Sequence, residues 1–496
     1  MGNDMKSPMK FLLKNTSLVF VMKIIGMGFA FIFQIILGRL LGKSLYGEYT
    51  VFISIVNIFS LVTLLGTDNC LIRTIPHFND DDKFKYVLLK RVLTFVTINS
   101  VFITLLMFIF RHRLYVIFDI ADKKYLVLTF LILIVFSMSK VIDGFLQGIK
   151  KTTISILFNT ALNNLFRIIF FFVLYFVCSK KILVALAGYL LTEIVLLALR
   201  LIYIFKEYSK EDLELQTEYE LKDYRYFIRY SLSLFIIVGI DILMRNIDKL
   251  MIQSYVGYGQ VGIYKATENY LALVAVFITP FVVFWPMISE MYKKKQIKLI
   301  DEMFSNIVKI VSLFSLPVII FMIVFSKDLL LFFGEEYIVG YSVLYILLIG
   351  NVFDALAGPV GALLNMTEYA KYNLVNMIGL LILNVILNFA LIPRYGINGA
   401  AMATTISLVV INSVNIVQNK ILLNVFPYSK ENIYLLIFSV AVFFVDKNLY
   451  NIVNINIFLK MILFILMNYI ILISLYILII RPNIKEMYEK LVKKNI

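Results

Sequence analysis

Along this 496-residue chain, about fourteen runs of roughly twenty apolar residues follow one another with few charges inside them. Twenty residues of α-helix rise about 30 Å, which is the hydrocarbon thickness of a bilayer. Inside lipid every backbone polar group must be satisfied internally, so only helices and closed barrels span it. Barrel strands read as ten-residue alternating segments, whereas these runs are continuous, so helices are predicted. The runs fall at about 16–38, 46–66, 90–110, 125–147, 153–177, 182–205, 230–254, 262–286, 305–326, 339–362, 374–393, 397–418, 432–450 and 457–480. The loops and tails between them are too short for a separate soluble domain. No cleavable signal peptide is expected: Met1 to Lys14 carries lysines, but a full-length span follows without a small-residue cleavage pattern.

Composition excludes the other classes. The chain is 61% hydrophobic and 16% charged, where a soluble globular chain is about half apolar and a quarter charged. Two cysteines cannot staple a chain of this length, and two histidines without a cysteine cluster suggest no metal centre. Neither a metal nor another cofactor is expected. The net charge of +15 suits anionic headgroups on the cytoplasmic leaflet. With the N-terminus inside, Lys and Arg favour the cytoplasmic loops by roughly two to one, which predicts both termini in the cytoplasm. The outer loop with Arg111, Arg113, Lys123 and Lys124 fits this bias least. The topology puts Cys70 and Cys178 on opposite faces, and likewise His77 and His112, so neither pair is expected to meet.

An internal repeat organises the spans. Gly42-Lys43-Ser44-Leu45-Tyr46-Gly47-Glu48-Tyr49 and Gly257-Tyr258-Gly259-Gln260-Val261-Gly262-Ile263-Tyr264 both read G-x-x-x-x-G-x-Y, and the same offset lays span 1 on span 7 and span 2 on span 8. Spans 1 and 7 both start in the cytoplasm, so the unit must be even: six spans plus six in parallel, with two appended. The expected domains are an N-lobe over 1–206, a cytoplasmic linker over 207–226, a C-lobe over 227–420, and spans 13–14 with a basic cytoplasmic tail over 421–496. Parallel repeats form two lobes about an axis normal to the membrane, with the substrate site between them.

The layout resembles the multidrug/oligosaccharidyl-lipid/polysaccharide exporter (MOP) superfamily, and the motifs resemble its polysaccharide transporter branch, the Wzx-type O-antigen and oligosaccharide flippases. The first stretch is Ile36-Leu37-Gly38-Arg39-Leu40-Leu41-Gly42 followed by Tyr46-Gly47-Glu48-Tyr49. The second is Asp248-Lys249-Leu250-Met251-Ile252 followed by Val261-Gly262-Ile263-Tyr264-Lys265-Ala266. The third and most specific runs from Asn388 through Pro393, Gly396 and Gly399 to Thr404. The resemblance implies an all-α, MATE-like fold of about 14 transmembrane helices, not an enzyme. It implies a monomer in the cytoplasmic (inner) membrane that flips undecaprenyl-pyrophosphate-linked oligosaccharide by alternating access, for surface polysaccharide biosynthesis. The implied partners are this lipid-linked oligosaccharide, membrane lipids and polysaccharide polymerases; nucleic acid is not one. A cation-coupled multidrug antiporter and a lipid II flippase are the alternatives. A membrane glycosyltransferase or polymerase would need a large loop or domain that the spacing does not allow, and no P-loop is present.

Ionisable side chains at membrane depth cost at least ~2.5–3.5 kcal/mol, so they usually face a cavity or a partner. The candidates are Lys23, Lys140, Asp143, Arg167, Glu193, Asp241, Arg245, Asp248, Lys265, Glu268 and Asp354. Lys140 and Asp143 are three apart and are expected to pair on one helix face. Asp241 and Asp248 compete for Arg245. Lys23 and Arg167 have no acidic neighbour in sequence. A pyrophosphate suits Arg forks and Lys point charges, so Lys23, Arg167, Arg245 and Lys265 are the expected substrate contacts, facing one cavity. Asp248, Glu268 and Asp143 are candidates either for a coupling proton or sodium ion or for plain charge pairs. Pro280, Pro286, Pro317 and Pro359 mark helix positions that can kink or hinge.

Overall fold

The computed structural model describes residues 6–78, 82–120, 122–177, 181–208, 221–277, 281, 284–428 and 430–493. Among them the chain is helical, without strands. In chain order the helices are α1 (Lys6–Leu64), α2 (Thr67–Thr74), α3 (Asp82–Ile109), α4 (Arg111–Phe118), α5 (Lys123–Gly148) and α6 (Thr152–Ile156). A π-helical turn, Leu157–Leu162, leads into α7 (Asn163–Tyr175), followed by α8 (Lys181–Tyr208), α9 (Leu221–Val256) and α10 (Tyr258–Ala275). Then come α11 (Trp285–Lys293), α12 (Ile297–Val324), α13 (Ser326–Leu331), α14 (Tyr341–Ala357) and α15 (Val360–Asn365). The last four are α16 (Ala370–Tyr395), α17 (Ile397–Leu423), α18 (Lys430–Ile452) and α19 (Ile457–Lys493). Cys178, Pro280 and the acidic run at 211–220 lie outside the described residues, so the expectations placed on them go no further.

Burial is inverted relative to a soluble bundle. Asn384, Asn388, Asn419 and Asn468 are fully buried, while Ile98, Val375, Ile421 and Ile470 are each more than 60% exposed. In water this pattern would cost free energy twice; in hydrocarbon it is the favourable one. Twelve helices among the described residues are long and apolar enough to cross a membrane. The first, Val21–Leu64, covers most of both of the first two expected spans. It is two helices end to end, because Gly42 sits at φ 74°, ψ 166° and breaks the helical path. The expected eighth span is shorter than its sequence run. Helix α10 stops at Ala275, and Trp285 with Pro286 starts the separate α11. Its Gln260, Lys265, Glu268 and Asn269 make α10 more polar than the twelve. The tenth ends at Ala357, where Gly358 takes φ 66°, so Pro359 marks the break before α15 instead of lying inside a span.

The chain divides into two compact units, Met1–Gly262 and Ile263–Ile496. In the first, α5 packs on α3 and on α8, and α8 packs on α7. In the second, α14 packs on α12 and on α17, and α17 packs on α16. The neighbour pattern is therefore the same for spans 3 to 6 and for spans 9 to 12. Helices α18 and α19 pack on α12 through Leu313, Ile320, Leu435, Val442 and Leu472.

Within the first unit the first G-x-x-x-x-G-x-Y segment meets residues Gly257–Gly262 of the second. A Cβ on Gly47 would lie 1.8 Å from the Tyr258 carbonyl oxygen, and one on Gly262 would lie 2.1 Å from the Lys43 carbonyl oxygen. The 215-residue offset of the repeat carries Lys43 onto Tyr258 and Gly47 onto Gly262, so the contact is reciprocal, as across a two-fold axis. The opening glycines match as well: Gly42 has φ 74° and Gly257 φ 88°, a conformation a side chain resists. The aromatic residues that close the two motifs, Tyr49 and Tyr264, are both buried.

Candidate functional site

The first unit holds an open polar cavity of about 440 Å³. Helix α1 gives Asn57 and Ser60, α2 gives Asp68 and Asn69, and α5 gives Lys140, Asp143 and Gln147. Asn159 comes from the π-helical turn, and Arg245 and Asn246 from α9. Sequence puts these groups there for local reasons. Gly144 lets α2 approach α5, since a Cβ there would lie 2.2 Å from the Asp68 carbonyl oxygen. The π turn widens the helix by one residue, a feature often found at functional sites, and Asn159 is on it.

Two ion pairs hold α8 to its neighbours. Arg200 meets Asp143 at 3.1 Å with both side chains almost fully buried, and donates to Asn159 Oδ1 at 3.3 Å. Two turns toward the N-terminus, Glu193 meets Arg167 at 3.4 Å and accepts from Asn163 at 3.0 Å. The Arg167 guanidinium also lies 4.1 Å from the Tyr189 ring centre. The expected Lys140–Asp143 pair is therefore replaced: Arg200, seven residues beyond Glu193 on α8, takes the carboxylate. Lys140 lies over the Phe136 ring at 5.1 Å and has no ion pair among the described residues. At the other wall Arg245 takes Asp241 at 2.9 Å, both largely exposed, and Asn57 donates to Asn246 at 3.3 Å.

Asp68 lies just past the end of α1. Burial pushes its carboxyl above the usual range, against hydrogen bonds from Asn69 and the charge of Lys140. Cys70, two residues on, is buried, and burial pushes its thiol up to about 11.

The sequence-expected residues are distributed as follows. Arg245 and Asp143 line the cavity. Arg167 is close by on α7 but paired. Lys23 is half-buried on α1, without a hydrogen bond or ion pair among the described residues. Asp248 is 5% exposed on α9. Lys265 and Glu268 belong to the second unit and pair with each other at 2.8 Å. Sequence reasoning missed Arg200, Asp68 and the amides Asn57, Asn69, Asn159 and Asn246. The signal for Arg200 was its seven-residue spacing from Glu193, two turns along one helix face. For the neutral amides no charge flagged them.

In the first unit, membrane helices thus surround a cavity of amides, carboxylates and basic groups. Comparison with known proteins gives the family, and the solved structures it matches are those of a flippase and a transporter. The chain belongs to the polysaccharide biosynthesis protein family, whose sequence profile matches residues 12–292. It is 30% identical over 188 residues to an uncharacterized membrane protein of Methanocaldococcus jannaschii, covering 36% of this chain and 42% of that one. It is 26% identical over 165 residues to the probable low-salt glycan biosynthesis flippase of Haloferax volcanii, covering 33% and 35%. The chain thus spans less than half the length of these curated relatives. Among solved structures, the inward closed conformation of the lipid II flippase MurJ matches with a TM-score of 0.72 at 16% identity, over 94% of this chain and 99% of that one. An inward-facing multidrug resistance MATE family transporter of the MOP superfamily matches with a TM-score of 0.65 at 16% identity, over 80% and 94%. At such identity the likeness is one of fold.

Proposed function

We propose that the protein flips an undecaprenyl-pyrophosphate-linked oligosaccharide across the cytoplasmic membrane by alternating access, for surface polysaccharide such as O-antigen, with both termini in the cytoplasm. The observation that carries this reading is the make-up of the first unit's cavity. Sugar hydroxyls both donate and accept, and carboxamides match them with both functions on one group. Five carboxamides, Asn57, Asn69, Gln147, Asn159 and Asn246, line that cavity together with the cations Lys140 and Arg245. A glycan or phosphate left in hydrocarbon would pay the full cost of unmade hydrogen bonds, and the cavity replaces those bonds. The prenyl tail need not leave the bilayer.

In this reading Arg245 and Lys140 contact the pyrophosphate. Lys23, Arg167 and Lys265 are further contacts on its route, the last two after release from Glu193 and Glu268. Asp143, Asp248 and Glu268 are the candidate sites for a coupling proton or sodium ion. The glycan is handed to a polymerase, and one chain suffices. A charge-assisted contact is worth about 1.5–3 kcal/mol, so losing one weakens binding about ten- to a hundredfold. Lys140→Ala and Arg245→Ala are expected to remove surface glycan while the protein inserts at normal levels. Arg245→Lys keeps part of the activity, since the charge stays and the fork is lost. Well-expressed alanine variants that export glycan as the parent does would end the proposal. In proteoliposomes, transport of an organic cation without movement of a lipid-linked glycan would favour the antiporter reading.

A further inference from the structure

The second unit holds a groove of about 650 Å³ between α12, α13, α14 and α18. Its wall is aliphatic: Ile319, Ile323, Ile349, Val352, Leu436 and Val440 line it, and Ile349 and Val440 are about half exposed, so it opens on the outside of the helices. One end is different. There Lys327 in the first turn of α13 and Lys447 near the end of α18 line the groove, with Tyr450 and Asn451 beside them. Neither lysine is ion-paired among the described residues. Lys327 lies 4.9 Å from the Tyr341 ring centre. The adjacent Asp328 is occupied, accepting from the Tyr450 hydroxyl at 2.8 Å.

Lysines at the ends of membrane helices sit at headgroup level. From Lys447 back to Leu436 is eleven residues of α18, which rise about 16 Å, half of a ~30 Å hydrocarbon core. The groove is therefore one leaflet deep, with a pair of positive charges where a lipid phosphate would lie and aliphatic walls where its chain would run. A zwitterionic headgroup would bring its own cation toward two lysines; an anionic one would not. We propose that this groove binds an anionic phospholipid, the phosphate between Lys327 and Lys447 and one acyl chain along Ile323, Val352 and Val440. The lipid is distinct from the transported substrate and holds α18 against α12 and α14.

Native mass spectrometry of the full-length protein, exchanged into phosphatidylglycerol or phosphatidylcholine, tests this. A preference for phosphatidylglycerol is expected. Each lysine near an anionic lipid contributes about fivefold, so Lys327→Gln with Lys447→Gln should cut the preference about twenty-five-fold while total bound lipid hardly changes. Val440→Trp fills the groove and should lower phosphatidylglycerol occupancy with both lysines in place. Circular dichroism and thermal unfolding confirm that each variant is folded; if the double variant is not, Val440→Trp and the loss of preference at high ionic strength decide the question. An unchanged preference in the folded double variant overturns the proposal. So does displacement of phosphatidylglycerol by equimolar polyprenyl phosphate, which would assign the groove to the carrier lipid.

Discussion

Equivalent helices in the two units solve the same problem differently. In the first unit α5 and α8 bring Asp143 to Arg200 at 3.1 Å; in the second, α14 and α17 bring Asp354 to Asn412 at 3.0 Å. The neighbours follow suit. The first unit adds Arg167 and Glu193, while the second adds amides: Asn376 donates to Asn415 at 2.7 Å and to Gln418 at 2.6 Å, and Asn388 donates to Asn384 at 2.9 Å. At these equivalent helices one unit is thus held by ion pairs and the other by hydrogen bonds to amides. A buried ion pair needs both partners, because removing one leaves an uncompensated charge. An amide network loses one hydrogen bond at a time. The charged unit should be the more brittle.

Arg200→Met tests this most severely. With Asp143 left alone, thermal or denaturant unfolding in detergent should show a loss of about 3–5 kcal/mol. Adding Asp143→Asn to that variant should restore most of the loss; a double variant as unstable as the single would mean that packing, not charge, holds α8. The counterpart in the second unit, Asn412→Ala, should cost about 1–3 kcal/mol in the same assay. Equal losses at the two sites would erase the distinction between the units.

A smaller effect is expected at the cavity edge. The Asp68 carboxyl is raised by burial, so the folded protein favours its neutral form. That contribution is present below the ordinary value of 3.8 and is lost as pH rises through the raised one. Asp68→Asn should therefore match the parent in acid and exceed it in stability toward neutral pH; identical stability profiles would show that the group stays solvated. The smallest effect belongs to Glu290 and Lys294, a pair 2.6 Å apart with both side chains more than half exposed. Lys294 holds the Glu290 carboxyl below its usual range, but water screens the pair. Lys294→Ala should leave the unfolding temperature unchanged. A clear drop there would show that pairing itself, without burial, sets the difference between the units.

The fold was legible because lipid imposes one rule on every span. Apolar runs must become helices, and G-x-x-x-x-G-x-Y recurs where helices turn. Boundaries were less legible where the chain breaks for reasons hydropathy does not record. Gly42 joins two spans without a loop, and α10 stops at Ala275 although apolar residues continue past it. In the site, spacing on one helix suggested Lys140 for Asp143, but the carboxylate points across to α8. Pairing between helices is set by which faces pack together, and a single sequence does not state that. The amides escaped notice because only charged side chains were followed into the spans, and a carboxamide becomes informative only when several converge on one space.

Gly47 and Gly262 have a consequence for how such a chain can vary. Each backbone is the surface against which the other is fitted, closer than any side chain permits. A change in either copy of the motif therefore alters the binding partner of the other, much as an interface mutation in a homodimer is felt twice. Drift at these positions must be concerted. The two copies should keep their spelling long after the spans around them have lost all visible kinship.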